Sequence, residues 1–223
     1  MKNSSFPKQD QLWGVCRAIL LEGAQDSAPE FDPKYHLTFD RPSWGGPSPR
    51  IEAGQGLGHL VWNWGVDFDA LQALARLSSD PVPAVRFQVP NALLGLYKHD
   101  AKQQFWTLLS VMAESEATTG VMIVGTWGRV AGSDATRARE SLSRVIERGF
   151  ALFDQHELID HIVGILVWLY IWRPESAADE QLTRFENDAA VYHRVLAQEV
   201  FAATEYFRMG NAEERSGFTR QRR

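Results

Sequence analysis

The run Asp80-Pro-Val-Pro-Ala-Val-Arg86, continued through Phe87 to Leu96, limits this chain more than any other stretch. Proline lacks the N–H that a helix interior needs, so the doublet of prolines marks a stop and a tight turn. Beyond it, Val85, Val89, Ala92, Leu93 and Leu96 recur at helical spacing. The pattern predicts a helix, a turn with Asp80 as cap, and a second helix. Pro90 conflicts with that plan. Inside a helix it removes a hydrogen bond at a cost of roughly 3 kcal/mol, so a kink or an irregular first turn is expected there.

The same unit recurs in looser form. Helices are predicted over Gln9–Gly23, Ile51–Trp64, Phe68–Ser78, Ala84–Lys98, Ala101–Glu114, Gly120–Ala131, Ala135–Phe153, His156–Trp172 and, as a long capping helix, 177–209. In the first of these Leu12, Val15, Cys16, Ile19 and Leu20 form the expected core stripe. Gly65 and Asp67 read as a helix stop and the next N-cap. Residues 24–49 hold Pro29, Pro33, Pro42, Pro47 and Pro49 with Gly45 and Gly46, and are expected to be irregular. Their aromatics, Phe31, Tyr35, Phe39 and Trp44, favour packing over one end of the helical body, with a binding loop as the alternative. A polar tail follows at 210–223. No segment alternates with period two, so the chain is expected to be all-α.

The predicted helices pair off, and second helices recur at a spacing of about 34 to 36 residues, as in stacked helical repeats. Asp80-Pro-Val-Pro-Ala-Val-Arg86 followed by Val89, Ala92, Leu93 and Leu96 resembles the turn and second helix of a HEAT repeat. That resemblance implies a HEAT-like α-α superhelix, a solenoid of about four helix pairs over residues 50–173, inside a single domain spanning 1–209. It also implies that Asp80 and Arg86 tie adjacent repeats together. In the following repeat the match decays: Glu116 stands near the Asp position and no Arg follows Val121. Arg50 to Leu60, Asp80 to Leu96 and Phe105-Trp106 also look like the helical C-terminal part of large bacterial multidomain proteins with an ATPase-type module.

Charge and composition narrow the function. A formal net charge of −5 opposes a general nucleic-acid binder, which favours a basic field. Cys16 is the single cysteine, so no internal disulfide or thiolate metal cage can form, and a reducing, cytoplasmic home is expected. Leu12 to Leu21 contains Trp13 and Arg17 and does not read as a secretory signal. The most apolar run, Ile162 to Trp172, falls well short of the ~20 residues that span a bilayer, so no membrane segment is expected.

Motifs for chemistry are weak. His156 and His161 are five apart, whereas zinc-binding helices place two histidines four apart on one face. Gly54-Gln-Gly56-Leu-Gly58 has no preceding strand and no Gly-Lys-Ser/Thr, so its glycines are expected to let helices approach closely rather than to cradle phosphate. No catalytic residue, metal or cofactor is expected. Trp62, Trp106 and Trp168 fall off their stripes and are candidate surface anchors. Second helices of such stacks line a binding surface, which makes His59, Asn63 and Asn91 candidate partner contacts. Arg137, Arg144 and Arg148 form a further candidate stripe. The expected function is a non-enzymatic scaffold for a protein partner. The alternatives are a HEAT-like nucleic-acid binder or DNA glycosylase-like enzyme, and a regulatory helical segment of a larger ATPase.

Overall fold

The computed structural model describes residues 11–32, 48–115, 120–147, 158–187, 193, 196–201 and 204. The regular structure among them is entirely helical: α1 (Gln11–Gly23), α2 (Pro49–Trp64), α3 (Phe68–Ser78), α4 (Pro83–Arg86), α5 (Val89–Ala92), α6 (Leu94–Lys98), α7 (Lys102–Ser115), α8 (Gly120–Val130), α9 (Ala135–Glu147), α10 (Leu158–Trp172), a 3₁₀ turn (Pro174–Ser176) and α11 (Asp179–Glu186). Residues 196–201 are also helical. The chain divides into two compact units, Met1–Ile123 and Val124–Arg223.

In the first unit α2 is the central element. Pro49 opens it where no N–H is needed, and Gly65 closes it at φ 95°, a left-handed value that a residue with a Cβ rarely adopts. Three of its glycines serve two neighbours. Gly56 faces Leu20 of α1, while Gly54 and Gly58 face Gln88 and Ala92 on the opposite side. A Cβ on Gly58 would lie 2.7 Å from both Cα and Cβ of Ala92, so α5 is seated almost on the α2 backbone. Gly95 repeats the device from α6: its Cβ would lie 2.9 Å from the Trp62 backbone nitrogen. Close helix approach is therefore the use of the Gly54–Gly58 run.

These contacts define a register. Gln55 meets Gln88, Gly58 meets Ala92 and Trp62 meets Gly95, so α2 and the α4–α6 segment run parallel at offsets of 33 or 34 residues. The second unit repeats the arrangement: Gly128 of α8 faces Ile165 and Gly132 faces Trp168, at offsets of 37 and 36. Gly164 of α10 in turn faces Gln198, 34 residues on. Contacts at offsets of 33 to 37 residues thus join α2 to α4–α6, α8 to α10, and Gly164 of α10 to Gln198.

Pro90 accounts for the break into α4, α5 and α6. It stands in the first turn of α5, where its missing N–H is no loss. Ahead of it the chain tightens to a three-residue bond, Gln88 N–H to Val85 O at 3.2 Å. The apolar face expected for this segment, Val85, Val89, Ala92, Leu93 and Leu96, is buried throughout.

The first helix differs from expectation. Leu12, Val15, Cys16 and Ile19 face solvent, and the inward side is built on Trp13, Arg17 and Leu20. Arg17 explains the reversal. Its guanidinium holds the Asp67 carboxylate with two 3.0 Å bonds and Asp69 with a third at 2.6 Å. Asp67 also caps α3 through the Ala70 N–H at 2.9 Å. The Arg17 bonds hold the Asp67 carboxyl below its ordinary pKa, and the Arg17 pKa is raised in return.

Candidate partner-binding surface

The parallel contact between α2 and α4–α6 is closed by polar bridges at both ends. At one end Gln55 Nε2 donates to Gln88 Oε1 at 2.8 Å. At the other, Lys98 Nζ lies 4.4 Å from the centre of the Trp62 ring and donates to the Trp62 carbonyl at 2.7 Å. His99 Nε2 stands 3.0 Å from the same carbonyl. That oxygen belongs to the last turn of α2, which has no intrahelical donor left, so a lysine beside it also complements the helix dipole. α6 ends with Asp100 at φ 61° and an Ala101 N–H to Leu96 O bond of 2.9 Å, the left-handed stop that glycine usually supplies.

His59, Asn63 and Asn91 are all exposed. At 100° per residue, Gln55, His59, Trp62 and Asn63 fall to one side of Gly58, and Asn91 and Lys98 fall to the matching side of Ala92. Two parallel helices therefore present them on one surface, with Trp62 45% exposed among them. Asn63 is tied down by a 2.8 Å bond from its side-chain nitrogen to the His59 carbonyl. The surface offers an indole edge, an ammonium, imidazoles and amides. It holds no hydroxyl or thiol nucleophile among these residues.

Asp80 and Arg86 are both buried, Asp80 in the turn before α4 and Arg86 at the end of α4. Arg86 donates to the Asp80 main-chain carbonyl, while the Asp80 carboxylate accepts from the Val82 N–H at 2.9 Å and meets Arg50 Nε at 3.1 Å. The contact of the Asp80 carboxylate across elements is thus with Arg50, on the first turn of α2. The same guanidinium reaches back to the carbonyls of Asp26, Ser27 and Pro29 at 2.9, 3.1 and 2.5 Å. Arg76 adds a bond to the Ala24 carbonyl at 3.3 Å. The start of the proline-rich segment is therefore tethered to α2 and α3, whereas residues 33–47 lie outside the described residues.

Arg137 and Arg144 are exposed on α9, and Arg148 lies outside the described residues. So do His156 and Glu157. Among the described residues no three His, Cys, Asp or Glu side chains gather as a metal set, and no helix is long and apolar enough to cross a membrane. Of the candidate anchors, Trp62 and Trp168 are exposed, but Trp106 is buried against Phe105, with ring centres 5.1 Å apart. Two features went unforeseen from sequence, the Arg50 hub and the Lys98–Trp62 stack. The second had a signal: Trp62 and Lys98 are 36 residues apart, one repeat period.

No protein-family model, curated protein or solved structure matches the chain.

Proposed function

We propose that the chain is a non-enzymatic, HEAT-like helical-repeat scaffold that binds a protein partner across the exposed side of α2 and α4–α6. The observation that carries this reading is Trp62. An exposed indole stacked by its own lysine, on the same side of α2 as Gln55, His59 and Asn63, has the make-up of an amphipathic interface anchor held in place before binding. The formal charge of −5 favours a protein partner over nucleic acid, and the single cysteine favours a cytoplasmic setting.

The test is affinity capture with the full chain as bait, compared with Trp62→Ala. Wild type should retain a defined partner through several salt concentrations. Trp62→Ala should weaken that binding by about 30-fold, the effect of a central anchor worth about 2 kcal/mol, with the melting temperature within a few degrees of wild type. Equal capture by the variant would remove this surface from the reading. Retention of oligonucleotides at low salt, with release as salt rises, would move the function to nucleic-acid binding.

A further inference from the structure

We propose that the partner of the Trp62 surface is an acidic peptide segment, its carboxylates held by Lys98 and Lys102 and a neighbouring apolar side chain laid on the exposed indole. This rests on Trp62 marking the binding surface and adds the chemistry of what binds there. The two segments that build the surface carry no Asp, Glu, Lys or Arg over residues 53–64 and 87–97. The first charges to follow are Lys98, Asp100 and Lys102, all exposed. Lys98 and Lys102 are the only lysines among the described residues. Each is stacked on an aromatic ring, Lys98 Nζ 4.4 Å from the centre of Trp62 and Lys102 Nζ 4.9 Å from the centre of Tyr97. Tyr97 is itself set edge-on against Phe105, with ring centres 5.1 Å apart. Both ammonium groups are therefore in place before a ligand arrives, which lowers the entropy that binding costs. Lys98 spends one of its three N–H donors on the Trp62 carbonyl and keeps the others for a ligand.

Neither lysine has a carboxylate of its own. Arg17, Arg50 and Arg173 each meet one at 3.7 Å or less, whereas no described carboxylate pairs with Lys98 or Lys102. Acids are not scarce, since the chain has 28 Asp and Glu against 23 Lys and Arg. Helix stability does not account for Lys102 either. It opens α7, where the helix dipole favours an anion over a cation. The acids around the surface do not cancel the pair. Asp67 and Asp69, just past α2, are taken up by Arg17. Glu52 lies ten residues before Trp62, about 15 Å along α2 and beyond the ~8 Å over which exposed charges act at physiological salt. Asp100 offsets one lysine, so a positive charge remains at the α6–α7 turn. The rest of the net −5 is screened from it in the same way.

A displayed library of random peptides, selected on the full chain, supplies the probe. The recovered sequences should be rich in aspartate and glutamate beside an aromatic or aliphatic residue, and should bind less tightly as salt rises. Lys98→Met and Lys102→Met keep the stacked stems and remove the charge. Each should lower affinity about threefold and the pair about tenfold, with melting close to wild type. Lys102→Arg should bind as wild type does. If Lys98→Met fails to fold, Lys102→Glu carries the comparison, with a loss of about tenfold or more. Trp62→Ala separates this proposal from the reading beneath it. Peptides lost by Trp62→Ala but indifferent to salt and to both lysine variants would keep the surface and overturn the acidic partner. Peptides that need the lysines but bind Trp62→Ala equally well would overturn the link to Trp62. A recovered set with no acidic enrichment overturns the proposal, and so does a thymidine oligonucleotide that binds more tightly than any recovered peptide.

Discussion

Two parallel helix contacts, one in each unit, use the same positional device with different tightness. Between α2 and α4–α6, Gly58 faces the Ala92 backbone and Gly95 faces the Trp62 backbone, so neither neighbour can yield by turning a side chain. Between α8 and α10, Gly128 faces the Ile165 Cδ1 tip at 3.3 Å and Gly132 faces the Trp168 ring at 3.4 Å, both side-chain atoms with room to adjust. The partners differ too. α10 is a continuous helix, whereas the segment beside α2 is interrupted twice. The closer approach in the first unit goes with the broken helix, in which short pieces each settle against α2 on their own.

A broken helix needs holding from outside, and Arg50 does that in the first unit. Its Asp80 partner is almost fully buried, with the carboxylate 6% exposed. Arg50→Met should therefore cost about 3 kcal/mol, since it leaves a buried carboxylate short of its cation. In the second unit Arg173, just after α10, donates to the Gly132 carbonyl and lies 3.7 Å from Glu175. It is 43% exposed, so Arg173→Met should cost under about 1 kcal/mol. Urea titrations followed by circular dichroism would measure both. Equal costs would mean that the two units are held together in the same way.

The glycines give the next largest effect. Gly58→Ala gains helix propensity but forces α5 off α2, and should destabilise by about 2 kcal/mol net. Gly128→Ala makes the same propensity gain against a side chain that can move, and should fall within about 0.5 kcal/mol of wild type. Thermal melts of the pair read the difference in tightness directly. A neutral Gly58→Ala would show that the broken segment can slide, and the proposed difference between the contacts would disappear.

Local pattern made the helices legible but not their partners. Phe68–Ser78 has the same bounds in sequence and structure, because Asp67 caps it and its apolar spacing is regular. The buried face of 85–96 and the interruption at Pro90 were likewise readable from proline chemistry and period. The orientation of α1 was not. Both of its sides carry large apolar residues, and the inward side was decided by Arg17 meeting Asp67 and Asp69, about 50 residues away. Arg50 escaped for the same reason: its four described partners lie 21 to 30 residues distant, on segments whose nearness only the fold creates. Candidate contacts His59, Asn63 and Asn91 were legible as exposed positions, since a polar residue beside an apolar stripe stays outside.

Pro90 gives a smaller effect than Arg50 or Gly58 and the sharpest view of the broken segment. If proline alone imposes the break, Pro90→Ala should let α4–α6 fuse into one helix like α10 and recover part of the roughly 3 kcal/mol that an interior proline costs. The surrounding bonds argue the other way. Gln88 is held by Gln55, Arg86 by the Asp80 carbonyl and Lys98 by the Trp62 carbonyl, so each piece is fixed to a different point. Fusing them would require at least one of these to let go. Pro90 also sits in a helix first turn, where it costs nothing in the folded state and restricts the unfolded chain, an effect of about 1 kcal/mol. Pro90→Ala should therefore lower stability by about 1 kcal/mol and leave the helical circular dichroism signal unchanged. A rise in both stability and helical signal would mean that the break is a local effect of proline rather than a consequence of fitting α4–α6 against α2.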